Sequence, residues 1–174
     1  EVPFALGTDT AGSGRVPAGF NNLVGLKPTP GLVPAAGVVP ACKTLDCVSI
    51  FSLTASDAAR VLAVMEGPEP GAPVFHAVTP QPARWPSQRP LRVGVPMAPG
   101  FLGDAAYARA FEQARWPWSR LRDREGRPSP IEWVPIDLAP FQAVARLLYE
   151  GPWVAERLAA LRSFFDAHAD EVNP

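Results

Sequence analysis

Apolar positions along the chain fall into short runs separated by glycine and proline, not into one long periodic stretch. Val2 to Leu6 reads as a short buried strand running into a glycine-rich turn, Gly7-Thr8-Asp9-Thr10-Ala11-Gly12-Ser13-Gly14. Asn21 to Gly31 is an apolar core segment closed by turn residues, and Val48 to Leu53 is a second strand. Thr54-Ala55-Ser56-Asp57 offers capping oxygens, and Ala58, Val61, Leu62 and Met65 then recur at helical spacing until Gly67-Pro68. Further on, Leu91 to Pro96 alternates as a strand, Asp104 to Arg115 predicts a helix with Ala105, Ala108 and Phe111 on one face, and Ile131 to Ile136 predicts another strand. A helical region from Phe141 to His168 follows, interrupted at Gly151-Pro152.

Strands alternating with helices predict an α/β architecture, a mixed β-sheet core flanked by helices. There is no internal repeat. The 174 residues fit one domain. Within it, residues 1–67 form a core segment, 68–99 a proline-rich crossing, and 100–174 a run of strand and helices. Nine prolines in the crossing and no sustained periodicity before Leu91 mark an extended surface path. The opening residues carry neither an initiator Met nor a basic leader, so the expectation is a chain that starts mid-strand, cut from a longer one.

Composition narrows the function. A net charge of −1 carries no nucleic-acid footprint, and no apolar run approaches the roughly 20 residues that span a bilayer. Neither a nucleic-acid partner nor a membrane is expected. The run from Trp116 to Pro128 combines four arginines with two tryptophans, a pairing that can bind a single strand. One short run in a neutral chain is better read as a solvated, divergent loop. Cys42 and Cys47 with His76 and His168 do not make a zinc site's spacing, so reduced thiols and no metal are expected.

The chemistry points to the glycine-rich turn. A serine there is held rigidly at a sheet edge, small neighbours admit a substrate carbonyl, and successive N–H groups suit the oxygen of a tetrahedral intermediate. Thr10, Ala11, Gly12 and Ser13 could supply nucleophile and oxyanion donors from one loop, although many such turns merely turn. Phosphate readings fail on the residues. Ser13 and Gly14 stand where a P-loop needs Lys and Ser/Thr, and Gly12, Gly14 and Gly19 have the wrong spacing for a dinucleotide fingerprint.

Gly7-Thr8-Asp9-Thr10-Ala11-Gly12-Ser13-Gly14-Arg15-Val16-Pro17-Ala18, followed by Gly25-Leu26-Lys27-Pro28-Thr29, resembles the motif of the amidase-signature family. The resemblance implies that Ser13 is the nucleophile and that the backbone N–H groups of Thr10, Ala11, Gly12 and Ser13 form the oxyanion hole. Asp9 and Arg15 then read as a pair that orients and stiffens the loop. Gly37 to Ser49 and Leu147 to Arg157 are more similar to the allophanate hydrolases within that family. This implies substrate binding by Tyr149 and Arg157, a guanidinium holding the carboxylate of allophanate through parallel hydrogen bonds. No cofactor is implied. A cytoplasmic homodimer, linked functionally to a biotin-dependent urea carboxylase, is the expected setting.

Family members pair the nucleophile with a lysine and a second serine on a cis peptide, both upstream of the motif. Lys27 belongs to a structural segment and Lys43 to the Cys-Lys-Thr-Leu-Asp segment, so neither maps to that base. A Ser-His-Asp substitute through His76 or His168 has no supporting motif. The isolated chain is therefore expected to be inert, with exposed edges and apolar faces. Two alternatives remain at this point: another amidase-signature enzyme, such as the amidotransferase component that feeds ammonia to misacylated tRNA, or a truncated, non-catalytic interaction module.

Overall fold

The computed structural model describes residues 2–68, 90–122, 126–128 and 130–171. The elements, in chain order, are β1 (Phe4–Asp9), α1 (Arg15–Phe20), β2 (Val24–Leu26), β3 (Cys47–Ser52), α2 (Ala55–Met65), β4 (Leu91–Pro96), α3 (Ala105–Arg115), β5 (Ile131–Ile136), α4 (Ala139–Glu150) and α5 (Pro152–His168). They divide into two compact units, Glu1–Pro80 with Ala145–Pro174, and Gln81–Val144. Most of the 68–99 crossing, His76 included, and Asp123 to Glu125 of the arginine-rich run lie outside the described residues.

In the first unit β3 is the middle strand of an antiparallel sheet ordered β1-β3-β2. Its central place explains its composition. Ile50 and Ser49 are fully buried and Cys47 and Ser52 nearly so, whereas β1 is mostly exposed until Asp9. β1 runs three residues further than the apolar pattern predicts, because Gly7, Thr8 and Asp9 stay in register with Ser49, Val48 and Cys47. The glycine-rich loop thus leaves the sheet at Asp9, the last residue of the ladder.

The second difference is α1, which the pattern misses. Gly14, Pro17 and Gly19 are poor helix formers, yet Pro17 sits in the first turn, where its missing N–H costs nothing. Packing holds the helix down. A Cβ on Gly25 would lie 2.7 Å from that of Ala18, and one on Gly14 would overlap Ser49 Oγ. The backbone of α1 rests directly on the sheet because these two positions carry no side chain. Facing outward, Phe4, Leu6, Val16 and Phe20 are exposed.

α2 follows its sequence signals: Thr54 accepts the amide of Asp57 at 3.1 Å and starts the helix. The break between α4 and α5 also falls where Gly151 and Pro152 put it, with the Gly151 amide closing on the Leu147 carbonyl at 3.0 Å.

The second unit pairs β4 with β5 in parallel, Leu91 opposite Ile131 through Pro96 opposite Ile136. Asp104 caps α3 by accepting the amides of Ala106 and Tyr107 at 2.8 and 3.0 Å, and Arg115 at its end stacks 4.9 Å above the Trp133 ring. Trp116–Arg120, expected as loop, forms a short 3-10 turn continuing α3. Strands and helices together make the mixed α/β architecture expected from the pattern, with antiparallel pairing in one sheet and parallel pairing in the other.

Candidate active site

The site is built on the loop that leaves β1. Asp9, its first fixed point, is fully buried. Its carboxylate accepts the Gly12 amide at 2.7 Å, the Arg15 amide at 3.1 Å, and Arg15 Nε and Nη2 at 3.0 and 3.2 Å. Four donors on one carboxylate close the loop from Asp9 to Arg15 into a ring. Gly12 passes through it at φ +136°, a conformation that favours glycine.

Burial pushes the Asp9 carboxyl up, but the Arg15 guanidinium and the two amides outweigh it and bring it down to about 2. The folded value thus lies below the ordinary 3.8, so the stabilisation is complete above about pH 4 and drains as the pH falls towards 2. It is on the order of 2 kcal/mol. Melting temperature is expected to fall across that window, and Asp9→Asn should flatten this part of the profile. A profile as steep in the variant as in the parent would remove Asp9 as its source.

Ser13 projects from this ring. The residue is exposed, and its hydroxyl donates to the Thr8 carbonyl at 3.1 Å. Around it the amides divide. Gly12 N–H is committed to Asp9, while those of Thr10, Ala11 and Ser13 meet no protein acceptor among the described residues. Of the four amides expected in an oxyanion hole, three thus have no protein acceptor among the described residues, and the fourth holds the loop in shape.

Lys27 is a clasp. Its ammonium donates to the Asp9 carbonyl at 2.7 Å, the Leu45 carbonyl at 2.8 Å and Cys47 Sγ at 3.1 Å, so its three protons tie the end of β1 to the segment entering β3. None is aimed at Ser13. Cys42 is fully buried, and burial together with the nearby Glu156 charge pushes its thiol up, which leaves it an inert core group. Among the described residues no group of three His, Cys, Asp or Glu could hold a metal ion.

Tyr149 and Arg157 stand on opposite sides of the Gly151 break. Tyr149 is 71% exposed near the end of α4. Arg157, in α5, donates from Nε to the Ala41 carbonyl at 2.9 Å. Beside it, Glu156 accepts the Thr44 amide and hydroxyl, each at 2.8 Å. Asp46 accepts the amides of Ala41 and Cys42, each at 2.9 Å, and the hydroxyl of Thr10. Sequence reasoning gave no role to Asp46, Thr44 or Glu156. Their one signal was membership of the segments around Gly37 to Ser49 and Leu147 to Arg157.

The family model described as Amidase matches residues 1–172. A urea amidolyase of Lachancea kluyveri is 42% identical over 174 residues, 98% of this chain and 9% of that protein. A urea amidolyase of Saccharomyces cerevisiae is 44% identical over 167 residues, 95% of this chain and again 9% of the relative. Among solved structures, a Kluyveromyces lactis allophanate hydrolase superposes with a TM-score of 0.81 at 39% identity, over 95% of this chain and 26% of that one. The chain thus spans about a tenth of the curated relatives' length and about a quarter of the solved enzyme's.

Proposed function

The chain belongs to the amidase family, and from that premise we propose that it carries the nucleophile-bearing part of an amidohydrolase that converts allophanate to ammonia and carbon dioxide. The observation that carries this reading is the loop itself. Ser13 offers an exposed hydroxyl in the same loop as three uncommitted amides, on a ring closed by a half-buried ion pair.

In this reading Ser13 Oγ attacks the amide carbonyl carbon, and the amides of Thr10, Ala11 and Ser13 take the negative charge that develops on its oxygen. Such preorganised donors cost no reorganisation at the moment of reaction. The carbon–nitrogen bond then breaks, the leaving nitrogen gains a proton and departs as ammonia, and water hydrolyses the acyl-serine ester to N-carboxycarbamate, whose decarboxylation gives the carbon dioxide and the second ammonia. The Ser13 proton needs an acceptor. Its present partner, the Thr8 carbonyl, is not a base, and Lys27 is fully engaged elsewhere, so the acceptor is supplied from outside the described residues.

Arg157 and Tyr149 bind the substrate in this proposal, Arg157 through its carboxylate. The Nε bond to Ala41 fixes the guanidinium plane, and the Nη groups remain to grip an anion. A cytoplasmic homodimer, fed with allophanate by a biotin-dependent urea carboxylase, completes the reading. The relatives named urea amidolyase support that link, and no described helix is long and apolar enough to cross a membrane.

The test is a substrate panel of allophanate, an uncharged small amide and glutamine, run on the full-length protein and on Arg157→Ala. Hydrogen bonds to a charged group contribute about 1.5–3 kcal/mol. kcat/KM for allophanate should therefore fall about 10- to 100-fold further than that for the uncharged amide, which loses only the Arg157 bond to Ala41. Equal loss on both substrates would remove Arg157 from carboxylate recognition. Preferred turnover of glutamine would replace allophanate as the substrate.

A further inference from the structure

The turn from Ala41 to Cys47 touches both the loop that presents Ser13 and the helix that carries Arg157. On one side Asp46 accepts the hydroxyl of Thr10, and the Leu45 carbonyl takes Lys27, which also holds the Asp9 carbonyl. The loop is thus gripped at its first two residues, Asp9 and Thr10. On the other side Glu156 straddles Thr44 with both carboxylate oxygens at 2.8 Å, and Arg157 holds Ala41. Within the turn, the same Asp46 carboxylate binds the amides of Ala41 and Cys42, and the amides of Leu45 and Asp46 close on the Cys42 carbonyl at 2.9 and 2.8 Å.

We propose that Asp46 is a positioning residue for the oxyanion loop, and that Glu156 holds the turn from which Asp46 acts. This rests on the functional reading of Ser13 given above. Thr10 contributes an amide to the proposed oxyanion site, and its own side chain is what Asp46 holds. A rotation of that peptide moves a donor off the developing oxygen without moving Ser13. Asp46 spends its other oxygen on the turn, so the loop's orientation is set by the turn, and the turn's by α5. One chain of hydrogen bonds therefore registers the amides for the carbonyl oxygen against the helix whose guanidinium takes the carboxylate. The connection is polar and short-ranged throughout, which predicts discrete losses when single atoms are removed.

The experiment uses the full-length protein with Thr10→Val, Thr10→Ser, Asp46→Ala, Glu156→Ala and the double variant Thr10→Val with Glu156→Ala. Two readouts are taken: allophanate kinetics, and the rate at which a fluorophosphonate probe labels Ser13. Thr10→Val, which removes only the donor to Asp46, should lower kcat about 10-fold with KM within about twofold, and Thr10→Ser should restore it. Glu156→Ala should lower kcat in the same sense, and the double variant should be no slower than the worse single one. Losses that multiply as independent effects, a KM effect alone, or unchanged kcat in both single variants would overturn the proposal. Should Asp46→Ala not fold, the Thr10 and Glu156 variants decide. Wild-type labelling at Ser13 without allophanate turnover would defeat the substrate reading, and the labelling rates would still judge the positioning role.

Discussion

Replacing Ser13 by alanine in the full-length protein is expected to lower ammonia release from allophanate by at least about a thousandfold, because no other group can take over a covalent nucleophile's bond. The same change should barely alter stability. Ser13 is exposed and its hydroxyl makes one bond, to the Thr8 carbonyl at 3.1 Å, worth no more than about 1 kcal/mol. Alanine also fits the turn, since the left-handed position in this loop belongs to Gly12. Activity assays beside thermal melts check both halves. Residual turnover within tenfold of the parent would exclude Ser13 as nucleophile, and a collapsed melting temperature would make it a structural residue.

Asp9→Ala should do the reverse and act first on folding. The carboxylate is fully buried and receives four hydrogen bonds, two from backbone amides and two from a guanidinium. Its removal strands the buried Gly12 amide and leaves Arg15 without its counter-charge. Breaking a buried ion pair from one side costs about 3–5 kcal/mol. Because the Arg15 side chain is half exposed and can turn to water, the lower end applies. About 3 kcal/mol is a large share of the roughly 5–15 kcal/mol that keeps a domain folded. Urea titration should show the midpoint falling accordingly, whereas Arg15→Lys, which keeps a charge, should lose less. A midpoint unmoved by Asp9→Ala would mean that the ring around Ser13 is held by something else.

The difference between these two residues also explains how far the sequence could be read. Ser13 and its loop were legible because glycine-rich backbone and a serine sit within eight consecutive residues, and the resemblance to a known motif supplied the roles proposed for them. Asp9 and Arg15 were legible for the same reason, being six apart. The strands β4 and β5 and the helix α2 followed from local alternation and capping, which need no distant partner. α1 did not. Its glycines and Pro17 argue against a helix by propensity, and only contact with Gly25 and Ser49 across the chain justifies them. The network of Thr10, Asp46, Thr44 and Glu156 was equally hidden. Those residues span well over a hundred positions, and each alone is an ordinary polar side chain on a turn or helix.

The interruption at Gly151 has a geometric corollary for the two residues on either side of it. In an uninterrupted helix, positions eight apart stand roughly 12 Å apart along the axis and about 80° around it. Tyr149 and Arg157 do not inherit that arrangement, because the backbone at Gly151 is extended and a Cβ there would press to 2.8 Å against the Leu147 carbonyl. Their bearing on one another is fixed by a single peptide unit and not by helical pitch. A bulkier residue at 151 would change the bearing of the Tyr149 ring on the Arg157 guanidinium while leaving both side chains chemically intact.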